Sequence, residues 1–195
     1  MNALNRHTAL PLAAAVLFAI PAAAGDQTRY ALEDDQVFVG YQVAVGKKQV
    51  SGVSHALSGS VSVLPEGAQV RLKVPVASFD SGLAVADAAL RGALEDGRFP
   101  AVEFEGRAEA TSSDDATLQF KGTLRLHGVE QTVTLPVKVV RDGRLAFVNL
   151  TFGLSLDSFG VTRPSFAGVT VGDRVEVQVV TRLHSLPGGT AVASF

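Results

Sequence analysis

The sequence predicts an all-β fold: about eight antiparallel strands closed as a barrel or packed as a sandwich, with one short helix inserted among them. Three observations predict it. Apolar and polar residues alternate with a period of two from Val37 almost to the end of the chain, so each strand has one apolar and one polar face. Tight turn signals such as His127-Gly128 and Asp142-Gly143 separate the alternating runs. The polar faces exclude a parallel sheet covered by helices on both sides.

The strands follow in order. Val37, Val39, Tyr41, Val43 and Val45 share one face; Val61 and Val63 follow the Gly59 turn; Val70, Leu72, Val74 and Val76 oppose Arg71, Lys73 and Pro75. Three strands are therefore expected before residue 80. Val102 and Phe104 alternate with Glu103 and Glu105, and a further short strand is expected near Arg107 to Thr111. The longest clean run sets Leu118, Phe120, Gly122, Leu124 and Leu126 against Thr117, Gln119, Lys121, Thr123 and Arg125. Across His127-Gly128 the apolar set is Val133, Leu135, Val137 and Val139. Ala146, Val148, Leu150, Phe152, Leu154 and Leu156 continue the pattern, and Val175, Val177, Val179 and Leu183 close it.

One segment has a different period. Leu83, Ala86, Leu90, Ala93 and Leu94 recur at helical spacing between Ser81 and Gly97. Asp80 or Ser81 is expected to cap this helix, Asp87 and Arg91 to pair one turn apart, and Gly97 to end it.

The N-terminus carries Arg6, an apolar run from Ala9 to Ile20 and the small-x-small pair Ala22 and Ala24. This pattern predicts a signal peptide over residues 1–24, cleavage near Gly25 and a periplasmic location. The domain is then expected over residues 25–186, with a flexible tail over 187–195. Losing Arg6 takes the 17 Lys and Arg to 16 against 19 Asp and Glu, a net charge of −3. No electrostatic attraction to nucleic acid is expected from that balance. With no cysteine in the chain, neither a disulfide nor thiolate chemistry is available.

Candidate sites for catalysis are few. Gly52-Val-Ser54-His55-Ala56 approaches a nucleophile elbow but lacks its second glycine at Ala56, and no helical pattern follows. His55, His127 and His184 are too far apart in sequence to suggest a metal site, and His127 beside the turn glycine reads as a solvated side chain or a donor to backbone. The acidic pairs Glu95-Asp96 and Asp114-Asp115 read as solvated loop charge. No enzymatic activity and no metal are expected. An outer-membrane barrel would also alternate and often ends in Phe, as here at Phe195. Aromatic girdles cannot form from two tyrosines and no tryptophan, however, and Pro136 interrupts a strand. Stable membrane insertion is therefore not expected.

The motifs together resemble the YceI-like family, the exported polyisoprenoid-binding proteins of bacteria. Gly122-Thr-Leu-Arg-Leu-His127-Gly128-Val129 followed by Val133-Thr-Leu-Pro-Val137 is similar to the family hairpin. Val76-Ala-Ser78-Phe-Asp80-Ser-Gly82, Asp87-Ala-Ala-Leu90 with Phe99-Pro100 and Phe104, and Phe159-Gly160-Val161 with Asp173-Arg174-Val175 match in the same order. The first strand pair departs, offering Lys47-Lys48 in place of the family's histidine-containing run. The resemblance implies a lipocalin-like barrel with a helix over one mouth and a long-chain isoprenoid, a prenyl phosphate or quinone, as its partner. The lining expected to touch that lipid is Leu72, Val74, Leu90, Phe99, Phe104, Phe120, Gly122, Leu124, Leu126, Val133, Leu135, Phe152 and Leu154. No other cofactor is expected, and a homodimer is left open. A filled barrel acting as an exported interaction domain without ligand is the alternative.

Overall fold

The computed structural model of the chain describes residues 27–32, 36–166 and 168–186. The expected signal peptide, its cleavage site and the expected tail lie outside these residues. Among the described residues, eleven strands and one α-helix occur in the order β1 (Thr28–Leu32), β2 (Phe38–Val45), β3 (Lys48–Ser54), β4 (Ser58–Leu64), β5 (Gly67–Pro75), α1 (Ala84–Ala93), β6 (Ala101–Glu109), β7 (Asp115–Leu126), β8 (Val129–Asp142), β9 (Leu145–Ser155), β10 (Ser165–Phe166) and β11 (Val169–Ser185).

The sheet closes. β1 pairs antiparallel with both β4 and β11, completing a ring of β1, β4, β5, β6, β7, β8, β9 and β11. The expected eight-stranded antiparallel barrel is thus present, with neighbours in the ring mostly neighbours in sequence. β2 and β3 extend it. β2 pairs with β11 from Val171 to Val180, and β1 takes over the same edge at Leu183 to Ser185. The first strand of the barrel is therefore broken in two, and so is the second, at His55 to Leu57 between β3 and β4.

Five strands precede residue 80 where the alternation suggested three. β1 has only five residues, and β3 places Val50, Gly52 and Ser54 on one face, an apolar signal too thin to register. The short strand expected near Arg107 is the continuation of β6, which runs unbroken from Ala101 to Glu109. The His127-Gly128 turn holds both residues at positive φ, 52° and 73°. That geometry matches the right-handed twist of the flanking strands and fixes the β7–β8 register from Leu126↔Val129 to Asp115↔Val140.

Helix α1 forms where expected but with different ends. Its N-cap is Leu83, without a side-chain cap, and Asp87 bonds back to Ser81 rather than forward to Arg91. The helix stops at Ala93, and Glu95, not Gly97, takes the left-handed conformation with φ 48°. β5 ends at Pro75, so the upper part of β3 loses its neighbour; only a Val53↔Asp80 bridge continues the pairing there. α1 lies across that opening.

On the outer wall, Lys73, Glu103, Arg125 and Glu130 stand directly opposite one another on β5, β6, β7 and β8. Their alternating charges pair along the row, and Arg71 and Glu105 make a second link at 2.8 Å. This charged row on β5 to β8 differs from the apolar outer band of a membrane-spanning barrel. No helix among the described residues is long and apolar enough to cross a membrane.

Candidate functional site: a two-chambered apolar interior

Alternation puts one face of every barrel strand inward, and those faces enclose two chambers. The lower chamber, with a cavity volume of ≈ 100 Å³, is lined by residues including Val70, Leu72, Phe104, Phe120, Leu135 and Leu150. The upper chamber, of ≈ 340 Å³, lies beneath α1 and is walled by β2, the end of β7, the end of β9 and the start of β11. Phe104, Val133 and Phe152 pack against the core clusters of both halves and form the waist between them.

Most of the expected lining is where the alternation put it. Leu72, Phe104, Phe120 and Leu135 line the lower chamber. Val74, Leu90, Leu124, Leu126, Phe152 and Leu154 line the upper one. Val133 sits in the waist without facing either space. Two residues stand elsewhere. Phe99 lies outside the barrel with its ring edge-on to His127, 5.1 Å between centroids, under the Arg98 guanidinium and over Gly128. It follows the helix, where the chain has already left the mouth.

Gly122 opens no space in the tube. A Cβ there would come 2.1 Å from the Glu105 carbonyl oxygen and 2.5 Å from the Gly106 Cα. Gly122 and Gly106 are register partners, and the missing side chains let the β6 and β7 backbones close on each other. The room at Gly106 is taken by the Phe104 ring.

The alternation also held lining residues that were not singled out. Tyr41 and Val43 on β2, and Val175 and Val177 on β11, wall the upper chamber. Their period was visible; which half of the barrel they would meet depended on closure. Among the described residues, Tyr41 is the one lining side chain of the upper chamber that carries a polar atom. Its ring lies over Gly52, whose Cβ would sit 2.5 Å from it, and meets Phe79 edge-on at 5.6 Å. Burial pushes its phenol up, and the negative charge of Asp87 pushes it further. The hydroxyl therefore stays protonated at neutral pH, a neutral hydrogen-bond donor in an apolar wall.

The remaining candidates are accounted for structurally. Ser54 is fully buried, accepts the Ala56 amide at 3.1 Å and lies 2.7 Å from the Ser78 hydroxyl, which donates to the Pro75 carbonyl at 2.6 Å. Its neighbour His55 turns Nδ1 to the Val37 carbonyl, and the partners of the Ser54 hydroxyl among the described residues are the Ser78 hydroxyl and the Ala56 amide. His127 is largely buried: Nδ1 lies 3.3 Å from the Phe159 carbonyl and Nε2 3.2 Å from the Glu95 carboxylate. Of the two roles expected for it, the contact with a backbone carbonyl is present and the solvated side chain is not; it ties the β7–β8 turn to the segment after α1 and to the turn at Asp157–Phe159. Among the described residues, no three metal-ligating side chains come together.

This geometry matches known proteins. A family model for the YceI-like domain covers residues 30–183. A UPF0312 protein of Azotobacter vinelandii is 28% identical over 170 residues, covering 83% of this chain and 80% of that protein. Among solved structures, Burkholderia cenocepacia BcnA superposes with a TM-score of 0.68 at 18% identity, over 78% of this chain and 99% of its own. A polyisoprenoid binding domain from Saccharophagus degradans, implicated in plant cell wall breakdown, gives 0.65 at 14% identity, over 83% and 99%. At these identities the structural likeness is one of fold. With a closed eight-stranded barrel, a helix across one end and a family match over most of its length, the chain belongs to the YceI-like domain family.

Proposed function

We propose that this protein is an exported, periplasmic binding protein that holds a long-chain isoprenoid lipid in its barrel, with no catalytic role. The upper chamber carries the reading: ≈ 340 Å³ with an apolar wall interrupted by a single phenol. That volume lies within the usual range for small-molecule sites, roughly 300–1,000 Å³. Burying each five-carbon unit contributes roughly 4 kcal/mol, at about 0.8 per carbon. Association costs about 4–15 kcal/mol before any net affinity appears. A ligand of one or two units therefore binds poorly, and a chain of several units binds well. A chain that outgrows the upper chamber reaches the lower one by displacing the Phe104 and Phe152 rings. The polyisoprenoid-binding neighbour from Saccharophagus degradans supports the ligand class. The protonated Tyr41 hydroxyl is suited to an uncharged oxygen on the lipid, such as a quinone carbonyl or prenyl alcohol.

The test is mass spectrometry of an organic extract of the protein purified from a bacterial periplasm. A stoichiometric isoprenoid is the expected result. Protein that is lipid-free, and stays so after incubation with membrane extract, would leave a filled interaction domain as the better reading. N-terminal sequencing of the same sample should begin near Gly25, and an intact Met1 would remove export.

A further inference from the structure

The rim of the upper chamber joins exposed apolar side chains to two exposed lysines. Leu83 and Val85, at the start of α1, line the chamber edge and are 56% and 66% exposed. Val169, 41% exposed, sits against the β2–β3 turn, its Cγ1 3.1 Å from where a Cβ on Gly46 would lie. That turn carries Lys47 and Lys48, both exposed, and neither is within ion-pair distance of an acid among the described residues. Val45 and Val50, flanking the lysines, line the same chamber. Nearby acids are engaged elsewhere: Asp157 by Arg163, Asp87 by Ser81 and the attraction of Arg91, and Asp80 by the Gly82 amide.

We propose that this rim is a docking surface for a bilayer with anionic headgroups. Leu83, Val85 and Val169 enter the interface, and Lys47 and Lys48 rest on the phosphates. The choice of a bilayer as occupant and the purpose of docking rest on the lipid-binding reading; the exposed apolar rim and its lysines do not. The observation that selects a bilayer over a protein is continuity. The exposed apolar residues edge the mouth through which an apolar chain passes, and a bilayer lets that chain move between membrane and barrel without crossing water. The lysines add attraction to an anionic surface, about fivefold in partition for each. The outer wall, with its row of paired charges, offers no comparable surface on β5 to β8.

Flotation of the purified protein with phosphatidylcholine vesicles, alone or mixed with phosphatidylglycerol, tests this. Wild-type protein should float, and more with the mixed vesicles. Leu83→Asp with Val85→Asp should lower the bound fraction tenfold or more on both. The two residues are exposed, and Asp in the first helical turn is favourable, so an unchanged melting temperature will show that the variant folds. Lys47→Glu with Lys48→Glu should abolish the preference for phosphatidylglycerol. Phe147→Asp, an exposed apolar residue on the outer wall between β8 and β11, should change nothing. The proposal falls if wild type floats with neither vesicle, if Phe147→Asp reduces flotation as much as the rim variant, or if the rim variant turns a stable dimer into a monomer. Leu124→Gln separates the two readings: if it loses its lipid but still floats, docking stands independently. Rim variants that retain membrane association while wild-type extracts contain no isoprenoid would sink both.

Discussion

The carboxylate of Asp87, one turn into α1, accepts both the amide and the hydroxyl of Ser81, at 2.9 and 2.6 Å. The helix that lies across the barrel mouth is thus held at its start by a bond running backward over six residues. These bonds, with a smaller contribution from Arg91, hold the Asp87 carboxyl below the usual aspartate range. A depressed value means that the ionised form is favoured by folding. The contribution is complete above the unfolded-chain value, near about 3.9, and is lost as pH falls through the lower folded value. Asp87→Asn should therefore lower the melting temperature at neutral pH, and the gap to wild type should close in acid. A gap that fails to narrow, or widens, as the pH is lowered below the unfolded-chain value contradicts this role. The same variant should let the Tyr41 phenol titrate earlier, read by ultraviolet absorbance, yet still above a free tyrosine, because burial is its larger cause.

Two glycines should respond in opposite directions to alanine. Gly122→Ala drives a methyl group into the β6 backbone and should cost about 1–3 kcal/mol, as overpacking does. Gly92 lies in the helix, and no neighbouring atom stands within 4 Å of where its methyl group would go, so Gly92→Ala should gain about 0.5–1 kcal/mol. Chemical denaturation measures both. An innocuous Gly122→Ala would mean that the strands are not closed at that pair.

Neighbouring residues on β7 should separate lining from wall. Leu124 is 4% exposed and faces the upper chamber; Thr123 lies on the outer wall beside Arg125. Leu124→Gln places an amide in an apolar space at about 1–3 kcal/mol if unpaired, so lipid retention should fall tenfold or more. Thr123→Gln should change little. The reverse order would place the ligand outside the barrel.

Ser54 should matter for stability and not for chemistry. Ser54→Ala removes the partner of the Ser78 hydroxyl and the Ala56 amide and should cost about 1–3 kcal/mol, with lipid retention unchanged. Fluorophosphonate probes should not label the protein. Stoichiometric labelling of Ser54 would revive a hydrolase.

The local pattern alone determined much of this molecule. Period-two alternation from Leu118 to Leu126 and from Val133 to Val139 specifies which side chains share a face, and His127-Gly128 specifies the turn, because both are set by backbone geometry over a few residues. The polar faces and the single helical insert likewise left few architectures open. Tertiary structure decided what each face meets. It took closure of β1 onto β11 to make one set of faces an interior, and the break of the first two strands to leave the upper end open for α1. It also took the close antiparallel pairing of β6 with β7 to turn Gly122 from an expected lining residue into a backbone contact. Phe99, apolar and next to a helix, was indistinguishable by period from a lining residue until the fold placed it on His127. These outcomes depend on chain segments far apart in sequence, and a single strand's alternation holds no record of which distant segment it will face.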